Sequence, residues 1–369
     1  MKKLFNRKKM DWMILALVAI LSILGVVMVY SASIPTALIQ KDGDLYFFIS
    51  RHIQFLFVGF FLFYLASRIH YRIYEKFSVF LYVASIVLVL LTLFSPLGKE
   101  VNGSKRFLEI AGQRLMPVEF VKMGAILYYA KYLSNCEFKS FVKETLPALG
   151  MIAVTAGLIL LQDDLSSTLT VAATMFVMLV CAGLKWRDFF LSVTVGGLAV
   201  AGVFYRAYKK ESYQWKRIDA WLHPDQYGGT LNYQVKQSLY AYAHGSLTGV
   251  GLGEGIQKYY YLPYPYNDFI FSVLAEELGF IGAIGTIFIY GILIWTGLRI
   301  AMRTQNRYGA LLAVGITALY AFQTIIHIGV GIGLLPNTGV VLPLISYGGT
   351  ALLTFLSMAG ILVSVSISE

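Results

Sequence analysis

Residues 264–296 read YPYNDFIFSVLAEELGFIGAIGTIFIYGILIWT. A polar, aromatic loop runs here into an apolar stretch long enough to cross a bilayer as a helix, for which about 20 residues suffice. Asp268 stands at the start of that stretch, and Glu276 and Glu277 follow about two turns later. A carboxylate beside or within hydrocarbon is costly, so each is a candidate for a functional role. The plainer alternatives are that Asp268 caps the helix that follows it and that Glu276 and Glu277 are buried acids paired across helices.

The rest of the chain repeats this pattern. Of its 369 residues, 57% are hydrophobic and 14% charged, more apolar surface than a soluble domain of this length could cover. Spans are expected near 12–30, 47–66, 77–95, 117–134, 146–161, 166–184, 188–205, 268–296, 308–334 and 340–366. The expected fold class is therefore all-α, a polytopic membrane protein of about ten transmembrane helices. Residues 1–369 would form a single transmembrane domain, with one long external loop at about 206–267. No short-period repeat is apparent.

Lys2, Lys3, Arg7, Lys8 and Lys9 precede the first span, which places the N-terminus in the cytoplasm; an even number of spans returns Glu369 to the same side. Arg68, Arg72 and Lys76, then Lys131, Lys139 and Lys143, then Lys185 and Arg187, then Arg299, Arg303 and Arg307 fall in loops on that side, as the positive-inside rule requires. Two external loops break the rule. One holds Lys99, Lys105, Arg106 and Arg114; the other holds Arg206, Lys209, Lys210, Lys216, Arg217, Lys236 and Lys258. External cations suit an anionic lipid headgroup or a pyrophosphate, although general attraction to anionic lipid would account for individual lysines equally well. Cys136 and Cys181 have no plausible oxidised partner and no metal-ligand spacing, and no nucleic-acid motif is present.

Three clusters carry possible chemistry. In the first, Asn102-Gly103-Ser104-Lys105-Arg106 precedes Gln113, Pro117, Glu119 and Lys122. Glu119 and Lys122 share a helix face, either as a structural ion pair or as part of a polar site, while Lys105 and Arg106 suit phosphate oxygens. In the second, Gln162-Asp163-Asp164 could bind a divalent cation or meet Lys122; alternatively Asp164 caps the helix beginning Leu165-Ser166-Ser167. The third is Asp268 with Glu276 and Glu277. The long loop is rich in Trp and Tyr, which suit a membrane interface, and residues 232–244 look like a helix that could lie along it. Gly249, Gly251, Gly253 and Gly255 mark flexible or tight backbone rather than a dinucleotide site. Gly279, Gly282 and Gly285, and Gly329 with Gly333, suggest close helix contacts. Pro343 and Ser346-Tyr347-Gly348-Gly349-Thr350 break the start of the last span, which implies a cavity beside it.

In this order the clusters resemble the SEDS family, the shape, elongation, division and sporulation proteins that include RodA and FtsW. The resemblance covers nearly the whole chain. It rests on Val27-Met28-Val29-Tyr30-Ser31-Ala32-Ser33, residues 102–106, Tyr233-Gln234-Val235-Lys236-Gln237-Ser238, Gly249-Val250-Gly251-Leu252-Gly253, Asp268-Phe269-Ile270-Phe271, Glu276-Glu277-Leu278-Gly279 and residues 343–349. The opening motif and Leu262-Pro263 look closer to the FtsW and sporulation branch. The sequence departs from the family pattern at Val118, Asp163, Ser166 and Asn267.

The resemblance implies a peptidoglycan glycosyltransferase that polymerises lipid II, an undecaprenyl-pyrophosphate disaccharide peptide, into β-1,4 glycan strands in cell division, sporulation or shape determination. It implies a class B penicillin-binding protein transpeptidase as partner and Asp268 as the catalytic residue. The substrate-binding set it suggests is Lys105, Arg106, Glu119, Lys122, Asp164, Gln234, Gln237, Ser238, Glu277 and Ser346. A divalent cation such as Mg2+ or Mn2+ could assist the departing pyrophosphate. A lipid II flippase or a non-catalytic scaffold for the transpeptidase are the alternatives; polymer formation in detergent separates the enzyme from both.

Overall fold

The computed structural model describes residues 12–41, 43–101, 104–110, 113–210, 213–224, 226 and 232–368. The basic residues at positions 2–9, the Asn102-Gly103 pair and Glu369 lie outside the described residues. The helices are α1 (Trp12–Gln40), α2 (Phe47–Arg68), α3 (Tyr71–Phe94), α4 (Pro117–Ser134), α5 (Leu146–Leu160), α6 (Leu165–Cys181), α7 (Trp186–Lys209), α8 (Tyr213–Leu222), α9 (Tyr233–Gly245), α10 (Ile270–Arg303), α11 (Arg307–Gly331) and α12 (Gly349–Ser368). Ten of them coincide with the ten expected spans, and the chain is a multi-pass membrane protein.

Eight helical segments are long and apolar enough to cross a membrane on those grounds alone; α4 and α6 are not among them. The reason lies in their position. α4 packs against α3, α5, α6, α11 and α12, and α6 against α5 and α11. A helix enclosed by other helices can carry polar groups that a lipid-facing helix cannot, and α4 carries Glu119, Lys122 and Lys131.

Local signals set several boundaries. Pro117 occupies the first turn of α4, where its missing N–H costs nothing. The Asn306 side chain accepts the Gly309 amide at 3.1 Å and starts α11. The last span begins at Gly349, so residues 332–348 cross the Asp268 end of the bundle as irregular backbone, in keeping with the breaks at Pro343 and Gly348-Gly349.

The all-helical expectation misses one feature. Between α3 and α4 lies a small antiparallel sheet of β1 (Gly98–Val101), β2 (Ser104–Ile110) and β3 (Gln113–Leu115), in the order β1-β2-β3. Val101 pairs with Ser104, so two residues connect the first two strands. Those two are Asn-Gly in the sequence, the dipeptide most favoured in such connections. α9 also differs from expectation. Instead of lying free along the interface, it buries Val235, Ser238 and Ala241 against α10 and α11.

α10 is interrupted. Gly279 has φ +70° and ψ −172°, outside helical geometry. The loop after α9 repairs the interruption. The amides of Val250 and Gly251 donate to the Glu276 and Glu277 carbonyls at 3.1 Å each, and the amides of Phe280 and Ile281 donate to the Ser246 and Leu247 carbonyls at 2.9 and 3.1 Å. The break at Gly279 would otherwise leave the Glu276 and Glu277 carbonyls and the Phe280 and Ile281 amides without backbone partners. Gly279 and the glycine-rich loop are therefore parts of one joint. By contrast Gly285 has open space around it and makes no close helix contact.

Candidate active site

Asp268 lies two residues ahead of α10, and several separate contacts fix its place. The Ser346 hydroxyl donates to the Asn267 carbonyl at 2.8 Å and accepts the Leu342 amide at 2.8 Å. The Tyr347 amide donates to the Tyr266 carbonyl at 3.0 Å. Gly339, with φ +69°, backs directly onto the carboxylate; a methyl group there would stand 3.3 Å from Oδ2. The irregular segment between α11 and α12 thus holds the Asp268 loop on two sides. Among the described residues the carboxylate itself accepts no hydrogen bond.

The charges around it come from three elements. Arg106 on β2 donates from Nε to the Gln162 carbonyl at 3.4 Å and from a terminal nitrogen to the Asp163 carbonyl. This fixes the guanidinium at the turn between α5 and α6, where exposed helix carbonyls favour a cation. Arg217 on α8 donates to the Asn337 carbonyl at 3.4 Å, and Trp221 on the same helix donates to the Gly333 carbonyl at 2.9 Å. These two contacts dock α8 onto the segment that carries Gly339. Asp164 caps α6, accepting the Ser167 amide at 3.0 Å and the Ser166 hydroxyl at 2.9 Å.

Burial raises the Asp268 pKa, Arg217 and Arg106 work against that rise, and Asp164 adds to it; the result is a carboxylate pushed up to about 6. For Asp164 burial also favours the neutral form, but Arg106, the Ser167 amide and Lys122 together outweigh it and hold the group below its ordinary value. Two nearby carboxylates are thereby separated in acidity, one firmly ionised and one poised near neutrality.

Behind them, Lys122 donates to Glu119 at 2.6 Å and to the Gln323 amide oxygen at 3.2 Å, with both charged side chains only 2% exposed. Gln323 donates onward to the Val341 carbonyl at 3.1 Å, and His327 bonds the Val340 carbonyl at 2.6 Å. The buried polar line therefore ends on the residues next to Gly339. Lys122→Ala would leave Glu119 charged and unpaired, with an expected cost of about 3–5 kcal/mol. Thermal unfolding in detergent checks this, and Glu119→Gln combined with Lys122→Met should recover most of the loss; equal destabilisation of the single and double variants would contradict it.

Other candidates are placed differently. Glu277 accepts Lys258 Nζ and Ser31 Oγ at 2.6 Å each and the Gly253 amide at 3.1 Å. It fastens the joint at Gly279 to α1. Lys258, expected as an external cation, is buried in this ion pair. Glu276 receives His244 at 2.9 Å and the Ile256 amide at 2.9 Å. Ser238 is buried between Ser272 and the Gly331 carbonyl, at 2.6 and 2.5 Å. Gln234 accepts the Asn337 side-chain amide, one step from Arg217. Gln237 is half-buried on α9. Lys105 is exposed, on the opposite face of β2 from Arg106.

Several buried polar atoms near the carboxylates have no hydrogen-bond partner among the described residues: both polar atoms of the Gln162 side chain, Glu119 Oε2, Asn267 Oδ1 and Thr338 Oγ1. Such orphans suit a region that receives a polar ligand. No three His, Cys, Asp or Glu side chains converge among the described residues. A divalent cation would thus take most of its ligands from substrate phosphates and water.

Fold and site together define a polytopic membrane protein with an acid–arginine centre at one end of its helix bundle. The FtsW/RodA/SpoVE profile, described as a cell cycle protein, matches residues 11–369, and the chain belongs to that family. It is 36% identical over 358 residues to stage V sporulation protein E of Bacillus subtilis, covering 96% of each. It is 36% identical over 369 residues to the probable peptidoglycan glycosyltransferase FtsW of Trichlorobacter lovleyi, covering 99% of this chain and 95% of that one. Among solved structures, a chain of a peptidoglycan synthase complex that coordinates polymerisation and crosslinking is similar with a TM-score of 0.79 and 28% identity, covering 97% of both chains. Rod shape determining protein RodA of Thermus thermophilus gives a TM-score of 0.71 at 28% identity, covering 97% of this chain and 96% of its own.

Arg217 did not stand out in the sequence, and Gly339 was legible only as the end of a tight external turn, Leu334-Leu335-Pro336-Asn337-Thr338-Gly339. Arg217 is one of seven cations in its loop, and nothing local distinguishes it. The one usable signal was its spacing from Trp221, four residues on, which puts both on one helix face.

Proposed function

We propose that this protein is a peptidoglycan glycosyltransferase that polymerises lipid II into β-1,4 glycan at the outer face of the cytoplasmic membrane, with both termini in the cytoplasm. The observation that carries the reading is Asp268: a carboxylate poised near neutrality, without a hydrogen-bond partner among the described residues, and flanked by two anchored arginines.

The donor sugar of lipid II is α-linked to its diphosphate and the product is β-linked, so a single in-line displacement accounts for the inversion. Asp268 accepts the proton of the acceptor's 4-hydroxyl as that oxygen attacks the donor's C1. The electron pair of the breaking C1–O bond leaves with the diphosphate, whose growing charge Arg106 and Arg217 stabilise, with Lys105 near the same strand. Glu119, Lys122 and Asp164 brace the floor of the site, Ser346 and Gly339 set the position of the base, and Gln234 supports the arginine helix through Asn337. Similarity to a polymerising and crosslinking complex supports a class B penicillin-binding protein as partner. Division, sporulation and shape determination all fall within the family.

The direct test is polymer formation from purified lipid II in detergent, with and without a cognate transpeptidase. Detergent removes the two-sided bilayer that a flippase requires, so product formed there excludes the transport reading. The pH profile gives a second check. Only ionised Asp268 can accept a proton, so kcat/KM should fall as pH drops through about 6, approaching tenfold per unit below it. Initial rates between about pH 5 and about pH 8 measure this, and a flat profile would remove Asp268 as the base.

A further inference from the structure

Joining two lipid-linked sugars brings two diphosphates to the same rim. The donor's departs beside Asp268, whereas the acceptor's stays attached one disaccharide away from its reacting 4-hydroxyl. Arg106 and Arg217 account for the first. A second cationic pair lies on the same end of the bundle and has no role in the mechanism above. Lys41 Nζ and the Arg51 guanidinium each sit 4.3 Å from the centroid of the same ring, Phe47. Both cations are half-buried.

Two like charges gathered on one ring repel each other, and the attraction of each to the ring is only about 0.5–2 kcal/mol. No described carboxylate forms an ion pair with either. Asp44, the nearest described acid along the chain, is turned to the Tyr46 amide at 3.0 Å; Asp42 lies outside the described residues. Phe48, next in the chain to the ring that carries both cations, packs against Tyr266 and Tyr347 with ring centroids 4.6 and 5.5 Å away, and the Tyr347 amide holds the Tyr266 carbonyl, two residues from Asp268. The pair is therefore built into the same frame as the base. Lys41 and Arg51 belong to the connection between α1 and α2 and to α2, whereas Arg106 and Arg217 sit on β2 and α8.

We propose that Lys41 and Arg51, mounted on Phe47, form a second diphosphate subsite that holds the acceptor's polyprenyl diphosphate while its far hydroxyl reaches Asp268. This rests on the polymerase reading and adds the placement of the second substrate. Arg51 offers a fork of donors suited to a phosphate, and Lys41 a mobile point charge. Binding the acceptor at its diphosphate end leaves its free hydroxyl to be aligned by reach, and the benefit is one of orientation.

The test uses full-length Asp268→Asn protein in detergent, which cannot turn over, titrated calorimetrically with undecaprenyl diphosphate. Two equivalents should bind. In the same background Lys41→Ala with Arg51→Ala should lose one of them, its affinity falling at least about tenfold, while Arg51→Lys alone keeps both. With Asp268 intact, the double variant should raise the lipid II KM at least about tenfold and change kcat less than about threefold, with an unchanged melting temperature. One equivalent in the parent, or two retained in the double variant, overturns the subsite. The two readings fail separately. A chain that polymerises lipid II but binds a single equivalent loses the subsite alone; one that binds two and never polymerises loses the base assignment and keeps the cation pair as an anion site.

Discussion

Asp268→Asn protein, purified in detergent and supplied with lipid II, is expected to form glycan at least about a hundredfold more slowly than the parent, since general-base catalysis typically contributes 10²–10⁴-fold. It should also be the more stable protein at neutral pH. The folded carboxylate titrates near 6, above its ordinary value of 3.8. Between those values the native state holds a proton that the unfolded chain has released, so stability contributed by this group falls as pH climbs through the window. Above about 6 the ionised, desolvated carboxylate is a standing cost, and asparagine removes it, for a gain of about 1–3 kcal/mol. Melting temperatures should therefore separate at pH 7.5 and converge near pH 4. Normal glycan yield from the variant would end the assignment of Asp268 as base. Matching melting curves at both pH values would show that the carboxylate is not desolvated.

The largest expected loss of stability is at the joint in α10. A methyl group on Gly279 would stand 2.2 Å from the Gly249 amide nitrogen, and one on Gly249 would stand 2.2 Å from the Glu277 carbonyl oxygen. Both glycines also have left-handed φ, +70° and +81°. Gly279→Ala or Gly249→Ala combines backbone overlap with conformational strain, and neither can be relieved by turning a side chain. A cost of at least about 4 kcal/mol follows, enough to abolish monodisperse protein. Gly285→Ala is the internal control. It lies in the same helix with open space around it, and alanine there should be neutral or stabilising by up to about 1 kcal/mol. Size-exclusion profiles and melting temperatures of the three variants decide the matter; comparable behaviour of Gly279→Ala and Gly285→Ala would refute the role given to the joint.

The ten spans were legible because bilayer crossing leaves a composition signal that needs no knowledge of partners. The broken entry to α12 was legible for the same reason, since Pro343 and Gly348-Gly349 announce irregular backbone locally. What depended on distant partners was not. Lys258 and Glu277 carry no mark that they meet, and their third member, Ser31, is 246 positions from Glu277. The glycines at 249 and 279 could be seen as special, but only contact between two elements tells a tight joint from a flexible hinge. Arg217 was hidden among chemically equivalent neighbours until α8 was docked through Trp221. The small sheet was missed because its strands are short; its Asn-Gly link was the local clue.

The clasp on Glu276 and Glu277 has a consequence for biogenesis. Translation runs from the N-terminus, so Ser31, His244 and Lys258 are all polymerised before either glutamate is added. The two acids enter the lipid phase with their hydrogen-bonding partners already synthesised, and each can be paired as its helix is released. Reversing the order, as a circular permutation that placed α10 ahead of the long loop would do, should strand two unpaired carboxylates in hydrocarbon and send the nascent chain to quality-control proteolysis.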